Sequence, residues 1–348
     1  MHVLSIVGAR PQFIKAAVVS RALAKCGIKE SLVHTGQHHD TRMSEVFFRE
    51  LDIPSPTHNL GIHGGRHGDM TGKMLGGIER VILEEKPDWV LVYGDTNSTL
   101  AGALAAAKLH VPIAHVEAGL RSFNRRMPEE INRVLTDHVS ALLLCPTYVA
   151  VANLRNEGIV EGVHMVGDVM MDATIAGMKI AQKQSKIQEA LGLKDGEYSL
   201  ATIHRAENTD DPKRLAEVVA YLDERAKNVS VVLPLHPRTK EALEKSYIRL
   251  SAVRVVEPVG YLDMQRLLSG SVEVFTDSGG VQKEAYFHQK QCTTLRDETE
   301  WIETVEAGWN RLWRGPAYAP RRKIEEYGGG AAADRIAAVL KEEGVRAS

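Results

Sequence analysis

The sequence predicts an α/β chain of two doubly wound domains, each built on a parallel sheet. Three observations carry this. At 348 residues the chain is longer than one hydrophobic core usually serves. Short apolar runs rich in β-branched residues recur, each leading into a turn and then a segment of helical period, which is the pattern of βαβ units. The series also starts afresh after Gly167, as it would in a second domain of the same kind.

In the first half the predicted strands are residues 3–7, 31–34, 89–93, 113–116 and 142–145. In the second they are residues 200–203, 231–235, 253–256, 272–276 and 292–295. A strand ending at Val166-Gly167-Asp168 closes the first series, so the hinge is placed near residues 167–172. This divides the chain into an N-terminal domain (1–168), a C-terminal domain (169–330) and a tail (331–348). The tail contains an amphipathic helix that is expected to cross back onto the first domain. Residues 179–197 read as a solvated helix and loop.

Composition narrows the function classes. Lys plus Arg (43) nearly balances Asp plus Glu (45), so no broad basic field exists for nucleic acid or an anionic membrane, and an anion must be met locally. No run approaches the roughly 20 apolar residues of a membrane span. The opening MHVLSIVGARPQ lacks a basic leader region and reads as a first strand. Three scattered cysteines, Cys26, Cys145 and Cys292, form neither a disulfide framework nor a metal spacing, and a reducing cytoplasm is expected. The histidines, among them His38, His39, His63, His67 and His236, show no metal-binding spacing, so no metal is expected.

Ligands of open α/β sheets gather at the carboxyl ends of strands, and several such ends are polar here. Gly8-Ala9-Arg10-Pro11 joins close backbone approach to a guanidinium fork, with Lys15 on the helix that follows. Thr276-Asp277-Ser278-Gly279-Gly280 opens another helix, whose free N–H groups could cap phosphate, and Glu284 on that helix could accept two ribose hydroxyls. An ordinary helix cap by Asp277 or Ser278 reads the same residues as structure. Pro258 and Tyr261 could wall a flat base, although packing alone would also place an aromatic there. Asp95 and Glu117 follow strands, and Glu129 and Glu130 open a helix after Pro128. One such carboxylate is usually structural, but several facing one cleft would repel one another and could divide into an acid and a base. His204 and Arg205, in the segment that ends at Asn208, suit a departing diphosphate.

In order and spacing, GARPQFIK, TGQHHD, YGDTNSTLAG, HVEAGLRSFNRRMPEEINRVLTDH, HRAEN, TDSGGVQKEA and LRDETEW resemble the non-hydrolysing UDP-N-acetylglucosamine 2-epimerases. The resemblance implies two Rossmann-like domains of the glycosyltransferase-B type, with the active site in the interdomain cleft and UDP held mainly by the C-terminal domain. It implies a UDP-sugar substrate, no cofactor, a homodimer, and interconversion of UDP-N-acetylglucosamine and UDP-N-acetylmannosamine. By the same resemblance Asp95, Glu117, Glu129 and His204 act in catalysis. Arg10, Ser278, Gly279 and Gly280 hold the diphosphate and Glu284 the ribose, with Lys15, Arg205, Asn208, Pro258 and Tyr261 completing the substrate set. Gln37, His38 and His236 are the candidates for an allosteric site at which a second UDP-N-acetylglucosamine activates some members.

The C2 proton of such a sugar has no carbonyl beside it, so direct abstraction is implausible. The reaction implied is anti elimination of UDP to a 2-acetamidoglucal, then re-addition after protonation on the other face. Four positions depart from the common pattern: Ala9 and Gln12 in the first loop, which reads GARPQ instead of GTRPE, Met70, which replaces a frequent glutamine, and Trp301, which stands where a branch has arginine. Similar chains bearing ETEW act on UDP-2,3-diacetamido-2,3-dideoxy-glucuronate, which is the alternative substrate. A glycosyltransferase, a hydrolysing epimerase and a non-catalytic nucleotide-sugar sensor are the competing classes.

Overall fold

The computed structural model describes residues 1–37 and 55–346. It comprises two compact units, one of Met1–Ala173 with Glu325–Ser348, the other of Thr174–Ile324. Among the described residues no helix is long and apolar enough to cross a membrane.

The first unit follows the order β1 (His2–Val7), α1 (Arg10–Lys25), β2 (Lys29–His34), β3 (His58–Asn59), α2 (His67–Glu85), β4 (Trp89–Tyr93), α3 (Asn97–Lys108), β5 (Ile113–Val116), α4 (Pro128–Val139), β6 (Leu142–Cys145), α5 (Tyr148–Asn156) and β7 (Val163–Met165). Its strands pair in the order β3-β2-β1-β4-β5-β6-β7, all parallel. Helices cover both faces of such a sheet, which is why WVLVY and LLLC are apolar at successive positions and do not alternate with polar residues. Leu4, Ile6, Val90, Val92 and Ile78 are wholly buried in one cluster. Each large aliphatic there contributes about 1.5–3 kcal/mol by leaving water.

Local chemistry sets the helix ends. Thr96 caps α3 by accepting from Thr99 N at 3.3 Å. Pro128 opens α4, with Glu129 and Glu130 in the first turn facing the positive end of the dipole. Gly102 lets the alanine-rich α3 press on the sheet, since a Cβ there would sit 2.6 Å from Ile6 Cδ1. The register pairs Tyr93 with Val116, so the chain leaves β4 at Gly94 and β5 at Glu117 side by side, tied by Gly94 N donating to Val116 O at 2.9 Å.

After α6 (Val169–Gln184) the second unit runs α7 (Ile187–Leu191), β8 (Tyr198–Thr202), α8 (Ala206–Thr209), α9 (Pro212–Ala226), β9 (Ser230–Pro234), α10 (Pro237–Lys245), β10 (Arg254–Val256), α11 (Tyr261–Gly270), β11 (Glu273–Thr276), α12 (Gly279–Phe287), β12 (Gln291–Thr294), α13 (Ile302–Glu306) and β13 (Asn310–Leu312). Its parallel sheet has the order β10-β9-β8-β11-β12-β13. Both sheets thus reverse winding beside their first strand, at β1/β4 and at β8/β11, and crevices form at such switch points. The chain ends in the first unit with α14 (Ala332–Arg346), which packs on α1 and is capped by Asp172, whose carboxylate accepts from Ala332 N at 3.1 Å and Ala333 N at 3.0 Å.

All ten predicted strands are present within a few residues of their expected limits. The strand expected to end at Val166-Gly167-Asp168 is β7, which stops at Met165. β3 and β13, of two and three residues, were not anticipated, because HN and NRL carry neither an apolar run nor alternation.

Candidate active site

The first unit holds a cavity of about 240 Å³ over the β1/β4 switch point. Asp95, in the loop after β4, lines it together with Glu129, Lys15, Gln12, His67 and Asn132. Glu117 stands just behind, paired with the Lys15 ammonium and with its Oε2 3.2 Å from where a Cβ on Gly94 would lie. Its backbone is in the left-handed region, φ 70°, a conformation that costs a residue with a side chain about 1 kcal/mol or more. Strain of this kind persists only where the surroundings over-determine it, and here register and the Lys15 pair both act on the same residue.

Asp95 is paired with Arg133, and its backbone carbonyl accepts from Asn132 Nδ2 at 2.8 Å. Partial burial pushes the Asp95 carboxyl above its ordinary range; Arg133 opposes this and Glu117 adds to it. Two carboxylates therefore stand close together, each beside its own cation, which permits them different proton affinities in one site.

Neighbouring Glu129 and Glu130 have separate surroundings. Glu129 is exposed and lines the cavity, whereas Glu130 is buried and accepts from Ser122 N (2.9 Å), Phe123 N (2.8 Å) and Arg133 Nε (3.0 Å). Burial works against Glu130, but these donors hold its carboxyl below the ordinary value. A further buried network lies beneath Glu117, where Asp137 joins His115, Arg121 and the Gly119 N–H.

Arg10 is the first residue of α1. Gln37 lines the same cavity as Asp95, its Oε1 accepting from Ser98 N at 3.1 Å and Ser98 Oγ at 2.7 Å. Met70 packs against the apolar cluster of this unit. His38 and His39 lie outside the described residues.

In the second unit Asp277 organises the loop after β8. Its wholly buried carboxylate accepts from His204 N (3.0 Å), Arg205 N (3.0 Å) and Asn208 Nδ2 (3.1 Å). His204 Nδ1 lies 3.6 Å from the same carboxylate, and its ring centroid is 5.5 Å from that of His236. Burial lowers the pKa of His236, and His204 lowers it further. His236 caps α10, its Nδ1 accepting from Arg238 N at 3.2 Å. Asn208 is buried, also donating to Leu295 O at 3.0 Å and accepting from Arg214 Nε at 3.1 Å.

Ser278 is the N-cap of α12, followed by Gly279 and Gly280, with Glu284 buried on the same helix. Against Gly279 lies the Glu300 carboxylate, bound to Arg296 Nη1 at 2.8 Å and 3.6 Å from Arg205 Nη2. The N-terminus of α12 is thus already facing an anion, the side chain of Glu300. Tyr261 opens α11 and is buried beside Gly177, whereas Pro258 is exposed. Lys283 Nζ lies 4.1 Å from the Trp301 ring centroid.

Residues 21–341 match the sequence profile of the UDP-N-acetylglucosamine 2-epimerases. The chain belongs to this family. It is 55% identical to UDP-2,3-diacetamido-2,3-dideoxy-D-glucuronate 2-epimerase of Pseudomonas aeruginosa, an alignment covering 98% of this chain and 99% of that one. It is 52% identical to a UDP-N-acetylglucosamine 2-epimerase homolog of Methanococcus maripaludis, over 90% of this chain and 88% of that one. Among solved structures it is similar to the Methanocaldococcus jannaschii UDP-GlcNAc 2-epimerase in complex with UDP-GlcNAc and UDP, with 42% identity and a TM-score of 0.86, covering 98% of this chain and 100% of that one. The two sheets with their helices are accordingly the glycosyltransferase-B type fold of these epimerases, and the chain is an isomerase of nucleotide sugars.

Several residues around the acid cavity were not assigned a role from the sequence. Gln12, Thr96, Asn97, Asn132 and His67 line the acid cavity, and Arg133 pairs with Asp95. Asn132 and Arg133 follow Glu129 by three and four positions, so helical spacing alone placed them on its face. Gln12 is the third residue of α1, just past the Gly8–Pro11 turn, and His67 opens α2 with no apolar run before it.

Proposed function

We propose that this chain catalyses reversible C2 epimerisation of a UDP-linked 2-acetamido sugar by anti elimination of UDP and re-addition. The observation that carries the reading is the convergence of Asp95, Glu117 and Glu129 around one small cavity, with Lys15 and Arg133 interleaved. Elimination removes a proton from C2 and builds positive character at C1, and acids poised at different proton affinities serve both the removal and the return. Arg10 in the first unit is proposed as an anion ligand, while Lys15 acts through Glu117, as its ion pair implies. In the second unit, the α12 N-terminus with Ser278, Gly279, Gly280, His204 and Arg205 is proposed as the diphosphate site, with Glu284 at the ribose.

For the sugar itself the uronate reading is favoured over UDP-N-acetylglucosamine. The relative named for UDP-2,3-diacetamido-2,3-dideoxy-D-glucuronate is 55% identical over nearly all of both chains, against 52% over 90% of this chain for the UDP-N-acetylglucosamine 2-epimerase homolog of Methanococcus maripaludis and 47% for the Methanocaldococcus jannaschii UDP-N-acetylglucosamine 2-epimerase. Product analysis with each UDP-sugar tests both levels. C2 epimers formed without an acceptor support the reaction, and a larger kcat/KM for the diacetamido uronate supports the substrate. Transfer only upon adding an acceptor, or release of free sugar as the main product, would overturn the first.

Two quaternary and cellular features belong to the proposal. Phe123, Met127, Ile131 and Leu135 are exposed apolar residues, Ile131 and Leu135 on one face of α4 and Met127 at its N-cap, and they support a homodimer through this face. The free cysteines support a reducing, cytoplasmic location. Activation by a second UDP-sugar would be read as a sigmoidal dependence of rate on substrate.

A further inference from the structure

We propose that His67 is a substrate ligand in the acid cavity: its neutral ring donates through Nε2–H to the carbonyl oxygen of the sugar's 2-acetamido group. His67 opens the 19-residue helix α2, is exposed, and lines the cavity that holds Asp95 and Glu129. Its tautomer follows from three contacts in turn. The Asp95 carbonyl oxygen can only accept, so the Asn132 atom 2.8 Å from it is the amide nitrogen Nδ2. The same Nδ2 donates its second hydrogen to Asn97 Oδ1 at 3.4 Å, which turns Asn97 Nδ2 toward His67 Nδ1 at 3.2 Å. An amide nitrogen only donates, so His67 Nδ1 accepts and carries no hydrogen. The ring is therefore neutral, with its hydrogen on Nε2. Among the described residues Nε2 has no hydrogen-bond partner.

The surrounding groups select the acceptor. Lys15 is paired with Glu117 and Arg133 with Asp95, so both cations of the cavity are engaged. Sugar hydroxyls and an acetamide N–H find acceptors among the carboxylates of Asp95, Glu117 and Glu129, whereas an acetamide carbonyl only accepts and gains nothing from an ionised carboxylate. It needs a donor of its own. A further cation would lower the proton affinity of the carboxylates on which proton transfer depends, and a neutral imidazole N–H leaves it as it is. Gln37 adds a second neutral donor to the wall: Ser98 N and Ser98 Oγ occupy its Oε1 at 3.1 and 2.7 Å, leaving Nε2. The 2-acetamido group stands on C2, the carbon whose proton these carboxylates exchange, so it is the carbonyl brought closest to them.

This inference rests on the epimerase reading, which places C2 in this cavity, and the test separates the two. Glutamine and asparagine divide the ring between them, since a Gln amide nitrogen reaches as far as Nε2 and an Asn amide only as far as Nδ1. His67→Gln and His67→Asn are compared with the parent chain in kcat/KM for both UDP-sugars and in thermal stability. Affinities are measured for UDP, UDP-N-acetylglucosamine and UDP-glucose, which bears a hydroxyl at C2. His67→Asn is expected to lose about tenfold in kcat/KM on both sugars, the worth of one hydrogen bond, while His67→Gln stays within about threefold of the parent. UDP affinity and Tm should be unchanged in both variants. The parent's preference for UDP-N-acetylglucosamine over UDP-glucose should shrink in His67→Asn by a similar factor. Equal losses in the two variants, a loss confined to the diacetamido uronate, or an unchanged preference over UDP-glucose would overturn the role of His67 and leave the epimerase reading intact. A parent chain that binds UDP-sugars but exchanges no C2 proton would overturn the epimerase reading, and the binding comparison would still decide the His67 contact.

Discussion

His115 and Asp137 form a fully buried pair beneath Glu117, with Nδ1 2.6 Å from Oδ1 while Nε2 lies 2.7 Å from the Gly94 carbonyl oxygen. A carbonyl only accepts, so Nε2 donates to Gly94 and the ring ties the end of β4 to α4. Burial works against the Asp137 carboxylate, yet His115 and Arg121 hold its pKa below the ordinary value. A group depressed in the fold contributes stability that is fully present above its unfolded pKa, about 3.9, and is lost as pH falls through the folded value. Asp137→Asn is therefore expected to destabilise the chain by about 1–3 kcal/mol near neutrality, because it removes the charge shared by His115 and Arg121 Nη1 while Arg121 keeps its Glu157 partner. Its stability should also vary less with pH in the acid range than the parent's, which denaturant titrations across that range would measure.

Adjacent glutamates are expected to fail in different ways. Glu129→Gln should lower kcat by about a hundredfold or more, within the range of general acid–base catalysis, and leave thermal stability unchanged. Glu130→Gln should cost about 1–3 kcal/mol of stability by weakening the hold on Ser122 and Phe123. Paired kinetics and thermal melts on the two variants check the contrast.

Arg133 opposes the rise in the Asp95 pKa, so removing it has a determined sign. In Arg133→Met the limb of the kcat/KM profile that reports Asp95 should move to higher pH, whether Asp95 works as acid or as base. A move to lower pH would show that another group governs that limb.

The apolar face of α4 predicts an oligomer-breaking variant. Ile131→Glu with Leu135→Glu should convert a dimer to a monomer in light scattering, since each buried aliphatic in an interface is worth about 1.5–3 kcal/mol. A parental chain that is already monomeric at micromolar concentration would contradict the dimer.

Much of the fold was legible because a parallel sheet covered on both faces writes its central strands as apolar runs, as in WVLVY and LLLC. Asp95 and Glu117 were legible because they follow such runs directly. What the sequence could not show is which strands become neighbours: that β4 lies between β1 and β5 brings Gln12, Asp95 and Glu117 together from distant parts of the chain. Nor could it divide Glu129 from Glu130, whose difference arises from the loop at Ser122 folding back as a donor pair. Glu300 against Gly279 was equally hidden, since it needs β11 and β12 side by side.

In the proposed reaction a proton leaves and returns at C2 through the carboxylates around the Asp95 cavity. Incubating the chain with its UDP-sugar in D2O and following C2 by NMR tests this directly. The parent is predicted to exchange solvent deuterium into C2 as the two epimers equilibrate, and Glu117→Gln to bind UDP but exchange none. Epimers that equilibrate with the original C2 hydrogen retained would rule out this proton transfer.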